Sequence, residues 1–394
     1  MRYRKILHID LDAFFCSVEE LLNPDLKGVV FAVGGSPDSR GVVSTCSYAA
    51  RKLGIHSAMP MKTALLRVPG LKIVHGHYEK YQFYSEQVME ILCDTTPLVE
   101  QISIDEAFMD VTDMPQKGAA IAAALQKRIR DETALPCSIG VASNKLVAKI
   151  ATNIAKSSYR GDQTPCAILE VPAGKEAEFL APLPIKELWG IGKKGVPQFI
   201  KMGYTTIGDL AKAPDGILEK QIGQFASTLK KRAAGMDDRP VGNEEDIKSI
   251  SNETTFGKDI ENEEEIERTL RQLSEKVAYR LRRQGLSGKT VRLKIRWPDF
   301  ETHTRQLSFP QPTNHDTVIY QSILSLLHEI WKPGKKVRLL GVAVANLTTT
   351  LQQLSILDTS YQKEDQLLQA MDDIKERYGK RMISRGWDVK EDAD

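Results

Sequence analysis

The sequence predicts a multidomain protein in which an α/β region precedes a helical region and a final α+β unit. Strand-like and helical patterns alternate through about the first 165 residues, which is typical of α/β architecture. Between residues 167 and 238 the pattern changes to short helices separated by glycines. The chain of 394 residues is too long for one ordinary core, and its length favours roughly two to four domains.

Composition narrows the class of protein. The hydrophobic content of 41% and the charged content of 27% are those of a soluble globular protein. No apolar run approaches the roughly 18 residues of a membrane helix. Asp10 and Asp12 interrupt the first apolar run too early for a signal peptide, so we expect a cytoplasmic protein without a membrane segment.

The spacing of the cysteines and the net charge exclude further classes of protein. The five cysteines never form a C-x-x-C pair, which indicates reduced thiols rather than a zinc site or a disulfide framework. The net charge of +2 is not that of a strongly basic nucleic-acid binder. Any binding to nucleic acid must therefore depend on local clusters of charge.

The α/β region begins with a strand at Ile6–Leu11 and a helix over residues 13–22. Asp12 is suited to be the N-cap of this helix, and Asn23-Pro24 is suited to end it. The other strands expected here are 29–33, 41–45 and Cys137–Ala142, with a hairpin over 100–111. The other expected helices are Tyr48–Lys52, about 80–93, 118–132 and 145–156.

The α+β unit follows a segment at 239–248 whose proline, glycine and mixed charges predict a linker. Helical patterns cover residues 263–284 and 315–331, and strand-like runs cover 289–297, 302–309 and 336–346. The tail from residue 348 carries a last helical pattern at 364–378, to which we assign no role.

Acidic residues within apolar strands indicate a metal site. Asp105 and Glu106 lie in the strand-like run 103–110, and Asp10 lies in the first strand. Buried unpaired charge is costly, whereas Mg²⁺ takes carboxylate oxygens as ligands. Adjacent strand residues point to opposite faces, so Asp105 and Glu106 can converge only at a hairpin tip or a bulge. The alternative is an acidic pair that faces water on an edge strand.

Basic residues in the same region have the spacing of a phosphate site. Tyr48 and Arg51 share one helical face, and Lys156 ends the helix that carries Lys145 and Lys149. The planar guanidinium of arginine suits a phosphate, and the tyrosine hydroxyl can add a directional contact. The alternative for each basic side chain is a solvated surface charge.

Residues 183–194 have the pattern of a helix–hairpin–helix. Gly190 and Gly192 allow the backbone to approach a phosphate, and Lys193 and Lys194 supply positive charge. Gly-x-Gly alone is a weak signal, but the flanking helical segments and the lysine pair strengthen it. Contacts of this kind are independent of DNA sequence.

The strand-like run at 289–297 predicts a second DNA-binding surface. Arg292, Lys294 and Arg296 alternate with apolar residues, which gives one cationic and one apolar face. Such a face can follow a DNA backbone, and its binding should weaken steeply with salt. A solvated basic face is the alternative, although three like charges two residues apart repel one another.

Three runs of the sequence resemble the Y-family DNA polymerases, most closely the bacterial and archaeal members. They are Asp10-Leu11-Asp12-Ala13-Phe14-Phe15, Tyr48-x-x-Arg51-Lys52 and Ser103-Ile104-Asp105-Glu106. Their order and spacing match over roughly the first 345 residues, which is more specific than any single motif.

The resemblance implies a right-hand polymerase. The palm would comprise residues 1–10 and 79–166, with fingers at 11–78 inserted between them. A helical thumb with the helix–hairpin–helix would cover 167–239, followed by a linker at 240–248. An α+β little finger at 249–347 and a tail at 348–394 would complete the chain.

The resemblance also implies residue roles. Asp10, Asp105 and Glu106 would be the catalytic acids that bind two Mg²⁺ ions, with the carbonyl of Leu11 as a backbone ligand. An aromatic at Phe15 would act as a steric gate against ribonucleotides. The incoming triphosphate would be bound by Thr45, Tyr48, Arg51 and Lys156. Residues 157–161 depart from the Lys-Pro-Asn-Gly pattern of the family. This departure bears on the geometry of the loop after Lys156 and on the reach of the Lys156 side chain.

The expected activity is template-directed DNA synthesis on primer-template DNA with dNTPs, of low fidelity and able to copy damaged templates. A short tail segment resembles the sliding-clamp peptide of bacterial polymerases, with the residues Gln353, Leu354, Ser355, Ile356 and Leu357. We expect a monomer with a sliding clamp as partner. Three other classes of protein are alternatives: a non-catalytic scaffold, a two-metal nuclease and a nucleotide cyclase. The acids argue against a scaffold, the triphosphate set against a nuclease, and the basic strand against a cyclase.

Overall fold

The computed structural model describes residues 3–159, 164–242, 247–349, 359–379 and 382–383. The chain forms two compact units, Met1–Glu244 and Glu245–Asp394. Within the described ranges, no helix is both long and apolar enough to cross a bilayer.

The first unit alternates strands and helices and then becomes helical. Its strands are β1 Ile6–Leu11, β2 Phe31–Gly34, β3 Val43–Cys46, β4 Lys72–Val74, β5 Val99–Gln101, β6 Glu106–Asp110, β7 Cys137–Ala142 and β8 Ile168–Glu170. The α-helices among these strands are α1 Phe14–Leu22, α2 Tyr48–Lys52, α3 Met61–Arg67, α4 Tyr78–Thr95, α5 Gly118–Thr133 and α6 Lys145–Ser158. The helical part contains α7 Glu176–Leu180, α8 Val196–Lys201, α9 Ile207–Ala211, α10 Asp215–Ile222 and α11 Phe225–Ala233.

A five-stranded sheet in the order β5-β6-β1-β7-β8 forms the centre of this unit. β1 lies antiparallel between β6 and β7, so its residues are buried on both sides. A second sheet, in the order β3-β2-β4, has its own small core. The core between the central sheet and α6 continues into the helical part through Leu146, Leu180 and Leu229.

The second unit is an α+β layer structure. Its elements are β9 Ser249–Ile260, α12 Glu263–Arg283, β10 Leu286–Arg296, β11 Thr302–Thr313, α13 Asp316–Ile330, β12 Val337–Thr349 and α14 Thr359–Tyr378. The sheet has the order β11-β10-β12-β9, and α12 and α13 cover its apolar face. α14 is held to α12 by ion pairs of Arg282 with Asp372 at 2.6 Å and of Arg283 with Glu376 at 2.9 Å.

One capping prediction was wrong. Asp12 does not cap α1, because Ala13 is the residue before the helix, with a φ of 47°, and no side chain caps this end. The Asp12 carboxylate is fully buried and accepts hydrogen bonds from Ser138 Oγ at 2.9 and 3.0 Å. A partner 126 positions away in sequence therefore outweighs the local preference of aspartate for an N-cap.

Several elements were not predicted. β9 is a strand of 12 residues of which only Ile250 is fully buried, so it carries little of the apolar alternation that marks a strand. The strand β4 and the helix α3 also escaped prediction, and α14 begins before the expected residue 364. By contrast, the strand at Cys137–Ala142 and the helix at Tyr48–Lys52 are confirmed with the expected bounds.

Candidate active site

The central sheet places the three acidic residues together. Asp10 lies opposite Glu106 in the antiparallel pair β1–β6. Asp105 precedes β6 in a bend, where the backbone N–H groups of Ile102 and Ser103 both donate to the Glu106 carbonyl at 3.0 and 3.2 Å. Because Asp105 lies outside the regular strand, its side chain need not point to the face opposite Glu106. This meets the condition for the two acids to converge.

A cleft of about 280 Å³ opens above these strands. Its lining comprises Asp10, Leu11, Ala13, Phe14, Phe15, Ser44, Thr45, Arg51, Ser57, Asp105 and Lys156. The cleft thus brings together predicted acidic, basic and aromatic site residues from four separate segments of the sequence. Ser44 and Ser57 were not predicted; Ser44 directly precedes Thr45, and Ser57 has no signal in the sequence.

Lys156 contacts the acidic residues across the cleft. Its Nζ lies 2.5 Å from Asp10 Oδ1 and 3.0 Å from Asp12 Oδ1. The side chain reaches this point because α6 packs on β7, with Asn144 accepting from the Val147 N–H to cap the helix. Burial lowers the pKa of Lys156, but the carboxylates of Asp10 and Asp12 outweigh burial and raise it. Lys156 is therefore a positive charge beside the acids.

Asp10 is a carboxylate in unfavourable surroundings. Burial raises the pKa of Asp10 to about 6; Lys156 opposes the rise, and the neighbouring carboxylates of Asp105 and Glu106 add to it. Carboxylates that repel one another in a buried site favour a cation between them. The donor set thus fits a hard divalent cation.

Glu106 is not among the residues that line the cleft, and its carboxylate contacts His8 and Lys149. Its Oε2 lies 2.5 Å from Lys149 Nζ and 3.2 Å from His8 Nε2. Burial raises the pKa of Glu106, but the hydrogen bonds from His8 and Lys149 outweigh burial and lower it to about 2. Burial lowers the pKa of His8 to about 4, so its ring is neutral at pH 7. Glu106 consequently stays ionised with one oxygen already engaged.

His8 and Lys149 were missed as site residues. His8 is an isolated polar residue in an apolar strand, and its Nδ1 lies 2.9 Å from Thr152 Oγ1 on α6. Lys149 lies two helical turns before Lys156, which places both lysines on the same face of α6. The spacing of the two lysines could have identified Lys149 as a residue near the site, but it does not predict that Lys149 contacts Glu106.

The residues on β3 and α2 form one wall of the cleft. Thr45 is buried, and the Arg51 guanidinium lies 4.8 Å from the centre of the Tyr48 ring. The Arg51 Nε donates to the Cys46 carbonyl at 3.3 Å. The Tyr48 hydroxyl is buried and lies close to the Asp12 carboxylate. Burial, with Asp12 nearby, raises the Tyr48 pKa, so the phenol keeps its proton beside the cleft.

Phe15 lies on the first turn of α1 and lines the cleft, whereas Phe14 belongs mainly to the core. Behind Phe15, the ring of Tyr81 is stacked on it at 4.2 Å with an interplanar angle of 11°. The Tyr81 ring therefore covers one face of the Phe15 ring.

The hairpin of the helical part has the expected backbone features. Gly190 has a φ of 111°, which side chains with a Cβ rarely adopt, and no atom lies within 4 Å of a Cβ built on Gly192. Lys193 and Lys194 are exposed. The loop is thus open to a ligand that approaches its backbone.

The strand β10 shows the predicted alternation. Val291, Leu293 and Ile295 are fully buried against the helices, and the basic residues lie on the opposite face. Arg292 donates to Gln306 at 3.0 Å and Lys294 contacts Glu253 at 2.6 Å. Arg296 Nε donates to Thr302 at 2.8 Å. Neighbouring strands thereby reduce the repulsion among the three cations.

The segment with Gln353, Leu354, Ile356 and Leu357 lies outside the described residues. In the second unit, Glu263, Glu267 and His328 also have a spacing that could hold a metal ion. This group is at the surface, where acidic side chains commonly occur without an ion. The cleft of the first unit is therefore the better candidate.

Comparisons with known proteins agree along the chain. The model of the impB/mucB/samB family matches residues 9–153, and the model of its C-terminal domain matches residues 247–356. The IMS family HHH motif matches residues 174–204. The chain is 40% identical over 390 residues to DNA polymerase IV of Dehalococcoides mccartyi (strain CBDB1), covering 98% of each. It is 38% identical over 396 residues to DNA polymerase IV 1 of Halalkalibacterium halodurans, covering 98% of this chain and 94% of that protein.

Solved structures give the same result. A Y-family DNA polymerase chimera of Dbh and Dpo4 has a TM-score of 0.75 at 25% identity, with 87% of this chain and 98% of that chain covered. An insertion ternary complex of Dbh DNA polymerase has a TM-score of 0.63 at 25% identity and the same coverage. Because identity of 40% extends over 98% of the chain, this chain belongs to the Y-family DNA polymerases and is a DNA-directed DNA polymerase.

Proposed function

We propose that the chain extends a DNA primer by metal-assisted phosphoryl transfer from dNTPs and that it copies damaged templates with low fidelity. The observation that carries the proposal is the cleft in which Asp10 and Asp105 face Arg51 and Lys156. Tolerance of damage is supported by the family to which the chain belongs, and a role in DNA damage tolerance follows from it.

Asp10, Asp105, Glu106 and the Leu11 carbonyl would hold two Mg²⁺ ions. The chemistry that such ions supply is a lower pKa of the primer 3′-hydroxyl and neutralisation of charge on the departing pyrophosphate. The protein contributes position: Lys149 and His8 fix one oxygen of Glu106, and the bend before β6 directs Asp105 into the cleft. Preorganised groups of this kind need little rearrangement when the substrate arrives.

The basic wall of the cleft would bind the triphosphate. Arg51 and Lys156 supply positive charge, and the Thr45 and Tyr48 hydroxyls supply directional donors. The position of the buried Tyr48 hydroxyl near Asp12 supports this role, because burial and the Asp12 carboxylate raise the pKa of Tyr48, so the phenol keeps its proton for donation. Phe15 would lie against the sugar and exclude a 2′-hydroxyl by direct contact.

Two surfaces would hold primer-template DNA through its backbone. The first is the hairpin with Gly190, Gly192, Lys193 and Lys194, and the second is the β10 face with Arg292, Lys294 and Arg296. Both would bind DNA independently of sequence, since they present charge and backbone amides rather than a pattern of base contacts.

The division into polymerase domains is also a proposal. The proposed palm, at residues 1–10 and 79–166, contains most of the central sheet, and the fingers at 11–78 contain the second sheet. The thumb at 167–239, the little finger at 249–347 and the tail at 348–394 follow. We also propose that the protein is a cytoplasmic monomer and that residues 353–357 bind a sliding clamp.

Primer extension with dNTPs and Mg²⁺ tests the proposed chemistry. Asp105→Ala and Glu106→Ala should each lower the rate by at least about a hundredfold, because each removes charge stabilisation that acts on the reacting groups. Asp110→Asn is the matched control, since Asp110 lies at the far end of β6 and bonds the Thr112 N–H. Template-independent products, primer degradation or unchanged rates in both variants would contradict the proposal.

A further inference from the structure

Behind the cleft lies a buried carboxylate that the proposed chemistry does not use. Glu19 on α1 is 2% exposed, one helical turn after Phe15. Its Oε1 accepts hydrogen bonds from the Tyr81 hydroxyl, from the His77 backbone N–H at 3.2 Å and from His77 Nδ1 at 3.0 Å. A buried carboxylate with several donors is a fixed point in the structure.

Tyr81 connects this fixed point to Phe15. The Tyr81 ring is 2% exposed and stacks on Phe15 at 4.2 Å, while its hydroxyl donates to Glu19. Burial and the Glu19 carboxylate raise the pKa of Tyr81, so the phenol keeps its proton at neutral pH. The ring of Tyr81 is thus held at its hydroxyl end by Glu19 and lies flat behind Phe15.

Gly76 leaves room for the Tyr81 hydroxyl. A Cβ at residue 76 would lie 2.8 Å from the Tyr81 hydroxyl oxygen and 3.1 Å from its Cε2. It would also lie 3.1 Å from Val33 Cγ1, so the space around the phenol is closed on this side. A side chain at residue 76 must therefore displace the side chains of Tyr81 and Val33.

We propose that Glu19 is a positioning residue for sugar discrimination, which fixes the Phe15 ring through Tyr81. The inference rests on the proposed role of Phe15 as the steric gate. An apolar wall rejects an added hydroxyl weakly through transfer energy and must act by contact, so its ring cannot be allowed to recede. The Glu19–Tyr81 bond prevents that movement from behind.

The test compares kcat and KM for dNTPs and for ribonucleotides with the same base. Tyr81→Phe keeps the stacked ring and removes the hydroxyl, and it should lower the discrimination ratio by about fivefold to tenfold, the equivalent of one buried hydrogen bond. The change should appear in kcat/KM for the ribonucleotide, with KM for the dNTP nearly unchanged. Gly76→Ala should act in the same direction by displacing Tyr81, and Glu19→Gln, which keeps an acceptor oxygen, should have a smaller effect.

Tyr78→Phe is the matched control, because it removes a hydroxyl from an exposed residue of the same helix and keeps the ring that meets Tyr81 edge-on at 6.4 Å. It should leave the ratio unchanged. In a Phe15→Ala background, Tyr81→Phe should cause no further decrease, since both changes act through the same ring. Thermal unfolding of each variant checks that the fold is retained, and Tyr81→Phe and Gly76→Ala decide the question if Glu19→Gln does not fold.

The outcomes separate the two claims. If Phe15→Ala keeps strict discrimination, Phe15 is not the gate, and the proposed function loses that role. If Phe15→Ala loses discrimination while Tyr81→Phe and Gly76→Ala keep the ratio of the original protein, the role of Phe15 stands and the inference about Glu19 is overturned.

Discussion

Asp10 and Glu106 lie opposite one another on adjacent strands, yet their pKa values differ widely. Glu106 has two donors, Lys149 and His8, and a pKa of about 2. Burial and the neighbouring carboxylates of Asp105 and Glu106 raise the pKa of Asp10 to about 6, although Lys156 contacts it. The pair shows that hydrogen bonding and burial, rather than residue type, determine which acid stays ionised.

Cation binding should therefore depend on pH near the pKa of Asp10. The folded-state value of about 6 is above the ordinary 3.8, so the folded protein binds the extra proton between these values and its stability falls as pH rises through them. The sign is opposite for cation binding, which requires the ionised form and weakens by about tenfold for each pH unit below 6. Calorimetric titration of the DNA-free protein with Mg²⁺ at pH 5 to 8 measures this.

The control for the pH prediction is Asp10→Asn, in which the dependence around pH 6 should disappear together with most of the affinity. Glu106 does not titrate in this range, because its pKa is about 2. Equal affinities at pH 5 and pH 7 in the original protein would contradict the prediction.

At the scale of elements, α6 carries both lysines of the site and lies directly on β7. Gly140 in β7 allows this approach, since a Cβ there would lie 2.0 Å from the Ala148 carbonyl oxygen and 2.6 Å from the Thr152 nitrogen. The position of Lys149 and Lys156 over the acids thus depends on a glycine in the neighbouring strand.

Gly140→Ala should lower the free energy of unfolding by about 1–3 kcal/mol or more, because the added methyl group meets backbone atoms that cannot rotate away. Urea denaturation measures the change. The matched control is Gly216→Ala in α10, where no atom lies within 4 Å of a Cβ. That variant should be neutral or slightly stabilised. Equal stability of both variants would show that α6 can move away from β7 at little cost.

The cationic face of β10 gives a second prediction at this scale. Arg292→Ala should weaken binding to primer-template DNA, and it should lower the slope of log affinity against log salt by about one for each phosphate that Arg292 neutralises. Fluorescence anisotropy at several salt concentrations measures both quantities. Lys276→Ala is the control, because it also removes one positive charge but from the exposed side of α12, which packs on the opposite face of the sheet. This variant should leave the slope unchanged. If both variants have the same slope, the β10 face does not bind DNA.

At the scale of the whole molecule, part of the tail packs on the second unit. β12 extends to Thr349, and α14 packs on the second unit through the buried side chains of Leu368 and Met371. The ion pairs of Arg282 and Arg283 strengthen this contact. The residues proposed to bind a clamp therefore lie between two elements of the second unit in the sequence.

Deleting residues 353–357 should abolish stimulation by a sliding clamp while distributive synthesis without the clamp is retained, because no proposed catalytic residue is removed. Primer extension with and without clamp measures the effect, and Ser355→Ala, at a position with no assigned contact, serves as the control. Clamp stimulation that survives the deletion would exclude this segment as the docking site.

Much of the fold could be predicted from local patterns. The local sequence predicted the strand Cys137–Ala142 and the helix Tyr48–Lys52, and alternation predicted the two faces of β10. β9 escaped prediction because few of its residues are apolar, so its alternation between buried and exposed positions leaves only a weak pattern in the sequence. Asp12 was placed wrongly because capping preference is local, whereas its partner Ser138 comes from a distant strand.

Residue type and spacing within one segment were sufficient to predict the family, most of the elements, and the acids Asp10 and Asp105 of the cleft. The neighbours of the site residues come from the tertiary structure alone: Lys149 and His8 on Glu106, Lys156 on Asp10, and Glu19 behind Tyr81 and Phe15. These pairs form between residues that are mostly tens of positions apart. Their contacts depend on strand register and helix packing, which no local periodicity in the sequence records.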